Sequence, residues 1–448
     1  MPEPCGAHTR AARGAESGLA ARLRTAALAD QLLIAAVADA AGQAHSGLGH
    51  LDAVGAQIRA ALAGPPAPAW DCPAGRREFQ LVLAARARDI GRVIADATTH
   101  NRLQAALIRS AGAGYGIPAR VRDRINRQAL AEDIRCADGE PCPVGARYEN
   151  ALRVRDALAA NGDAGAESVL LLTYEPAAFD GRGRAVIAIG DPDTADNTTV
   201  LVPGAQSSVR TGYLSRPDGR NVYREATRAD PDRTNSVILW MGYRAPDSLL
   251  DPAVAQPFSA RAGGRLLAAD LQALAASHIG TAHVTVVGHS YGSTTVADAA
   301  AGAGLRADDV VLVGSPGTDL ARRADDFHLP ATGHVYVGAA SSDPITGLGG
   351  QPQLSLPGTS ATVGLGADPA VDGYGSTRFR AEVRGVALPA TGHSSYFDPG
   401  GESLFSIGDI ASGHGDALAG HHMTALHRRR LPAFDPERLR LGTGGHRH

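Results

Sequence analysis

The sequence predicts an α/β protein: a mostly parallel eight-stranded sheet with helices on both faces, preceded by an all-helical N-terminal domain. Three observations predict it. The hydrophobic period is helical up to about residue 164; strand-length apolar runs alternate with helical segments beyond it; and those runs are apolar at successive positions. Apolarity at every position means burial on both faces, as parallel strands under helices require.

Residues 1–164 are rich in alanine and arginine. Leu19, Leu23, Ala26, Ala27, Asp30 and Leu33 follow near-helical spacing, and so do Phe79, Val82, Ile90, Val93 and Ile94. Glycine and proline break the pattern at Gly64–Pro66, Gly112–Pro118 and Gly139–Pro143, so four or five helices are expected, the last over about Val144–Ala160.

From residue 165 the strand candidates are Val169–Thr173, Ala185–Ile189, Thr199–Val202, Val237–Trp240, Val284–Val287, Val310–Val313 and Val335–Val337, with a last one around Ala381–Ala387. The short glycine-rich turn Asp180–Gly183 between the first two suggests an antiparallel hairpin at the sheet edge. The expected division is a helical domain over 1–164, a catalytic α/β domain over 165–425 and a poorly ordered tail over 426–448, where Arg428–Arg430 reads as a solvated end.

Composition narrows the partners. A formal net charge of −3 gives no field for nucleic acid or an anionic membrane. Lysine is absent and every basic side chain is arginine, which together with abundant alanine and glycine reads as genomic base bias. The N-terminus lacks the apolar core and cleavage site of a secretory signal, so a cytoplasmic location is expected, with export by a non-classical route left open. The longest apolar segment, Ala26–Ala41, is interrupted by Asp30 and Asp39, too broken to span a bilayer. Cys5, Cys72, Cys136 and Cys142 have no metal-ligand spacing; whether Cys136 and Cys142 close a small disulfide stays open.

The chemistry centres on Gly288-His-Ser290-Tyr-Gly292, which joins the apolar strand His283–Val287 to an alanine-rich helix over Ser293–Ala303. A serine on such a turn is forced into a strained backbone that lifts its hydroxyl above the sheet, and the flanking positions need glycine because a Cβ would strike the neighbouring strand or helix. The helix N-terminus behind it favours developing negative charge. Serine needs a base, and in this arrangement an acid and then a histidine follow it in chain order, each on a loop after a later strand. Asp343 lies just past the strand at Val335–Val337, and His393 precedes the closing helix around Ser403–Ile410. Asp319, Asp368 and Asp372 compete for the acid. His334 is at the start of a strand, the wrong end of the sheet; His414, His421 and His422 fall in or after the closing helix; and His289 is expected to pack beneath the turn. For the oxyanion, one backbone N–H should come from Tyr291 and the other from Ala205 or Gln206, with Gly204 letting that loop close on the substrate.

Two further segments are placed without a chemical role. Trp240–Pro246 belongs at the rim as wall or packing, and the glycine- and proline-rich Thr346–Gly375 is long enough to form a lid or rim.

Together Gly190-Asp191, Val202-Pro-Gly204, Trp240-Met-Gly-Tyr243, Gly288–Ser293, Gly314-Ser-Pro-Gly317, Asp343-Pro344 and Gly392–Tyr396 resemble the α/β-hydrolase superfamily, in a poorly characterised branch of predicted serine hydrolases from high-G+C bacteria. The resemblance covers about Ile189–Gly413 and implies the α/β-hydrolase fold, the order serine, acid, histidine, and hydrolase activity. The chain departs from that branch in Gly364–Pro369, which lacks a histidine, and at Tyr374-Gly375, where Phe-Gly is more usual.

The expected activity is serine-hydrolase cleavage of an ester or related acyl bond of a small molecule, through an acyl-enzyme on Ser290, with no metal and no cofactor. An acyltransferase using the same residues, or a binding protein acting through its helical half, are the alternatives; oligomeric state is not legible.

Overall fold

The structure, a computed structural model, describes residues 42, 45–60, 75, 77, 80–91, 93–94, 117–135, 145–162, 164–166, 168–247, 257–350, 354–355, 362–363, 365–383, 389–430, 434–440 and 444–448. They fall into two compact units, 1–116 and 117–448. In the first, residues 45–60 and 80–91 are helical, in keeping with the helical reading. The periodic segment Leu19–Leu33, the breaks at Gly64–Pro66 and Gly139–Pro143, and all four cysteines lie outside the described residues.

The second unit begins with two helices, α1 (Ala119–Ile134) and α2 (Ala146–Gly162), followed by strand β1 (Val169–Glu175). Composition put these helices with the N-terminal block, whereas the division into compact units falls between Gly116 and Ile117. The reason is the edge of β1. Leu171 N–H donates to Asp123 (2.7 Å), Asn126 donates back to the Leu171 carbonyl (2.9 Å), and Arg127 donates to the Val169 carbonyl (2.7 Å). Helix α1 thus satisfies backbone groups that an open edge would offer to another chain.

The sheet continues with β2 (Arg184–Ile189), β3 (Asn197–Val202), β4 (Asn235–Met241), β5 (His283–His289), β6 (Asp309–Val313), β7 (Val335–Gly338) and β8 (Thr377–Phe379). Its order is β1-β2-β4-β3-β5-β6-β7-β8. The pairs β1–β2 and β2–β4 are antiparallel, so the expected edge hairpin is present, and the other pairs are parallel. The central strands β3, β4 and β6 are buried along their whole length, their apolar C-terminal halves under helices on both faces and their polar first residues, such as Asn197 and Asp309, buried with them. Helices α3 (Asp218–Ala229) and α7 (Glu402–Ala411) pack together, as do α4 (Phe258–Ser277) and α5 (Tyr291–Ala303); a short α6 (Pro389–Ser394) precedes α7. Among the described residues no helix is long and apolar enough to cross a membrane.

Two expectations need correcting. The eighth strand is Thr377–Phe379, paired in parallel with Tyr336–Gly338, and not Ala381–Ala387; residues 381–383 are irregular and 384–388 lie outside the described residues. Arg378 hid this strand, because a mid-strand arginine reads as exposed. Its side chain is fully buried and is held by both oxygens of Asp435 (2.9 and 3.0 Å) and by the Ala339 carbonyl (2.8 Å). Asp435 comes from the tail, so the second correction concerns residues 426–448. Of Arg428–Arg430, the last two are exposed as expected, but Arg428 is not a solvated end: it donates to Asp435 (2.8 Å) and to both oxygens of Thr346 (2.7 and 2.6 Å), while Arg440 pairs with buried Glu402. Among the described tail residues Arg428, Asp435 and Arg440 thus find partners in the domain, a pairing invisible to local composition.

Helix α5 carries a carboxyl with no ready compensation. Asp298 is 2% exposed; one oxygen accepts the Leu320 N–H (3.1 Å) and the other has no hydrogen-bond partner among the described residues. Burial pushes its pKa up to about 7, the Leu320 N–H and Arg261 opposing and Asp319 adding to the rise. A carboxyl raised in the folded state stabilises it only while protonated, so this contribution fades as pH climbs from about 4 toward 7. Asp298→Asn should therefore gain stability relative to the parent as pH rises from 5 to 8, on the order of 2–4 kcal/mol by pH 8. Thermal melts across that range check it; a gap that does not change with pH contradicts it.

Candidate active site

At the carboxyl end of β5 the chain turns sharply into α5, and Ser290 sits on the turn with φ 55° and ψ −129°. A non-glycine residue with positive φ is costly and persists only where its surroundings fix it. Three glycines do so by leaving space. A Cβ on Gly288 would stand 2.6 Å from Ser293 Cα, one on Gly292 2.3 Å from the Val202 carbonyl oxygen, and one on Gly204 2.5 Å from Ser290 Cβ. Ser290 N–H donates to the Val313 carbonyl (2.9 Å), tying the turn to β6.

Asp343 and His393, far apart in sequence, meet Ser290 there. His393 Nε2 is 2.9 Å from Ser290 Oγ, and Nδ1 is 2.9 Å from Asp343 Oδ2. The Asp343 side chain is fully buried, His393 is 15% exposed and Ser290 is 4% exposed, so solvent reaches the assembly mainly at the imidazole. Asp343 caps a short 3-10 turn over Pro344–Gly347: Oδ1 accepts the Ile345 N–H (2.9 Å) and Oδ2 accepts the Tyr396 hydroxyl (2.8 Å) as well as His393. Burial works to raise the Asp343 pKa, but the hydrogen bonds from His393, Tyr396 and Ile345, with the charge of His393, outweigh it and hold the group below the ordinary carboxylate range. An ionised carboxylate only accepts, so in the neutral imidazole Nδ1 carries the proton and Nε2 is left to accept from Ser290.

His289 does pack beneath this assembly, and with a definite partner. Its Nε2 donates to the His393 carbonyl (2.8 Å) and its ring lies 5.0 Å from that of His393. Burial, and then the charge of His393, push its pKa down to about 4, so it stays neutral and serves as a fixed donor. Gly314, with φ +60°, lets β6 pass under the site: a Cβ there would stand 2.9 Å from the Tyr396 ring, 3.1 Å from Asp343 Oδ2 and 3.2 Å from His393 Cε1.

The loop after β3 also closes on Ser290 through Gly204. Of its two candidate donors, the Gln206 N–H is committed to the Pro246 carbonyl (2.7 Å), which leaves Ala205, one residue past Gly204, as the remaining one. Tyr243 braces the same loop, its hydroxyl donating to the Pro203 carbonyl (2.6 Å) while its ring stacks on buried Trp240. Trp240–Pro246 therefore holds the loop. Tyr291 starts α5 and its hydroxyl accepts the Ala260 N–H (3.1 Å).

The other candidates sit elsewhere. Asp319 is paired with Arg261 (2.6 Å), Asp368 with Arg428 (3.6 Å), and the Asp372 N–H donates to the Arg428 carbonyl (2.9 Å). His334 meets Asp309 at the opposite end of the sheet, His421 meets Asp409 (2.8 Å), and His414 faces Asp230 (3.6 Å). His422 has positive φ on an exposed turn. Among the described residues no group of three or more His, Cys, Asp or Glu side chains could hold a metal ion.

Two contributors escaped the sequence reading. Tyr396 stands in the same motif as His393, but nothing in its spacing shows that it reaches Asp343. Arg428 donates to the Thr346 hydroxyl (2.6 Å), which donates to the Asp343 carbonyl (2.8 Å), so the tail steadies the turn bearing the carboxylate. No periodicity signals such a contact.

The fold is that of an α/β hydrolase, and the chain belongs to that family. The model described as "Alpha/beta hydrolase" matches residues 179–355, and a domain of unknown function (DUF4226) matches residues 5–120. The hydrolase match contains Ser290 and Asp343 and ends before His393. The uncharacterized protein Rv2079 of Mycobacterium tuberculosis (strain ATCC 25618 / H37Rv) is 48% identical over 331 residues, covering 69% of this chain and 50% of that protein, so the chain spans half the relative's length. The uncharacterized protein Rv0963c of the same strain is 32% identical over 230 residues, covering 48% of this chain and 83% of the relative. Among solved structures, esterase B from Lactobacillus rhamnosis is 14% identical with a TM-score of 0.35, covering 62% of this chain and 95% of that one.

Replacing Tyr396 with phenylalanine removes a donor to Asp343 and the acceptor of the buried Ala340 N–H (3.1 Å). The expected cost is about 1–3 kcal/mol at pH 7. Because the Asp343 pKa is depressed on folding, the stability it contributes is present above the unfolded carboxylate pKa and lost as pH falls through the folded one. The gap between parent and Tyr396→Phe should therefore narrow below about pH 4. Chemical denaturation at pH 7 and at successive steps below pH 4, down to the acid transition, measures it, and a gap that stays constant throughout would contradict the account.

Proposed function

We propose that this chain is a serine hydrolase that cleaves an ester or related acyl bond of a small molecule by way of an acyl-enzyme. The observation that carries the reading is the unbroken run of hydrogen bonds from Ser290 Oγ through His393 to Asp343, each 2.9 Å long, at the carboxyl end of a parallel sheet. Membership of the α/β-hydrolase family supports it.

In this reading His393 accepts the Ser290 proton as Oγ attacks the acyl carbonyl, then returns it to the leaving group. A water molecule repeats the sequence to release the acid. Asp343, kept ionised by His393 first and then by Tyr396 and the Ile345 N–H, fixes the tautomer and stabilises the imidazolium that forms. The backbone N–H groups of Tyr291 and Ala205 are assigned to the oxyanion, with Gly204 giving the second loop its close approach to Ser290. The N-terminus of α5 adds favourable potential where negative charge develops.

Turnover of short-chain p-nitrophenyl esters by the full chain tests the proposal. Ser290→Ala and His393→Ala should each lower kcat by about 10⁶-fold, because the members of such a set act as a unit. Turnover that persists in Ser290→Ala at the parental rate would overturn it.

A further inference from the structure

A cavity of about 1110 Å³ opens beside the turn that carries Asp343, slightly above the usual range for small-molecule sites. Its lining is unusually rich in arginine. Arg322, Arg429, Arg430 and Arg438 all border it and are exposed, and none of their side chains has a hydrogen-bond or ion-pair partner among the described residues. They come from two separate segments, one after β6 and one in the tail.

The aspartates in the same wall do not neutralise them, because each is already engaged. Asp319 is held by Arg261 (2.6 Å), which does not line the cavity. Asp435 is held by fully buried Arg378, also outside the lining (2.9 and 3.0 Å), and Asp368 faces Arg428 (3.6 Å). Asp343 is turned toward His393, Tyr396 and the Ile345 N–H. What remains is a concave surface with several uncommitted guanidinium groups and backbone glycines. At Gly347 a Cβ would meet nothing within 4 Å, so the wall there is open.

We propose that this cavity is a binding site for a small organic anion, the arginines gripping its phosphate or carboxylate group. Guanidinium matches both groups with paired, charge-assisted hydrogen bonds. The concave shape suits a compact ligand, since an extended polyanion would need a charged stripe along a surface rather than a hollow. Arg428 serves as the site's post, fixed to Thr346 and Asp435, and the uncommitted arginines beside it do the gripping. The proposal stands apart from the hydrolase reading and needs no turnover to be tested.

Calorimetric titration of the full chain with inorganic pyrophosphate, and separately with citrate, reads binding directly. Saturable binding of at least one probe is expected, weakening with salt. The double substitution Arg429→Gln with Arg430→Gln should lower affinity at least about tenfold, equivalent to 1.4 kcal/mol. Arg322→Gln, from the other segment, should weaken it independently should the tail variant prove unstable. Arg323→Gln, whose guanidinium faces Asp326 (3.5 Å) and lies outside the lining, should bind as the parent does. Preference for pyrophosphate assigns the site to phosphate-bearing ligands, and preference for citrate to carboxylates. Absence of saturable binding for both probes, or parental affinity in both cavity variants, would overturn the proposal.

Discussion

The backbone of Ser290 is the constraint on which everything else rests. Its positive φ is unfavourable for a residue with a side chain, and the chain adopts it because β5, fixed between β3 and β6, has to give way at once to α5. Gly288, Gly292 and Gly204 make that possible by what they lack, since a Cβ on any of them would stand 2.6 Å or less from a neighbouring atom. The strain is sustained by a core of wholly buried central strands, and it sets one hydroxyl at the end of the sheet where the later loops arrive.

Those loops are held from beneath and from behind. His289, next to the turn, fixes the His393 backbone through its carbonyl. Tyr396, three residues past His393, reaches back to Asp343 and so joins the two loops. Behind Asp343 stands the tail: Arg378 on β8 and Arg428 both grip Asp435, and Arg428 passes on to Thr346 and the Asp343 carbonyl. These ion pairs are buried, so their value lies in specifying one arrangement more than in net stability. The same architecture that orients the carboxylate leaves other arginines of the tail facing a cavity.

Much of this was legible in the residues. Unbroken apolar runs identified seven strands, because burial on both faces leaves a sequence signature, and the glycine spacing around Ser290 marked the turn because steric exclusion at those positions is local. Asp343 and His393 could be placed by chain order, since each follows a strand. The rest depends on contacts between distant segments. Thr377–Phe379 was missed because Arg378 is neutralised from 57 residues away, and the packed tail because Arg428 finds partners 7 and 82 residues away. Helices α1 and α2 look like the helices before them, yet α1 hydrogen-bonds to the edge of β1, a role that periodicity does not encode. That the Gln206 N–H is taken by the Pro246 carbonyl, on a different strand's loop, was likewise not legible.

On the proposed reading, the strained turn presents a hydroxyl that His393 activates. Reaction of the full chain with a fluorophosphonate, followed by peptide mass spectrometry, tests it most directly. The account predicts one modified residue, Ser290, and loss of the adduct when His393 is replaced by alanine. Modification at another serine, or an adduct that forms as fast without the imidazole, would contradict it.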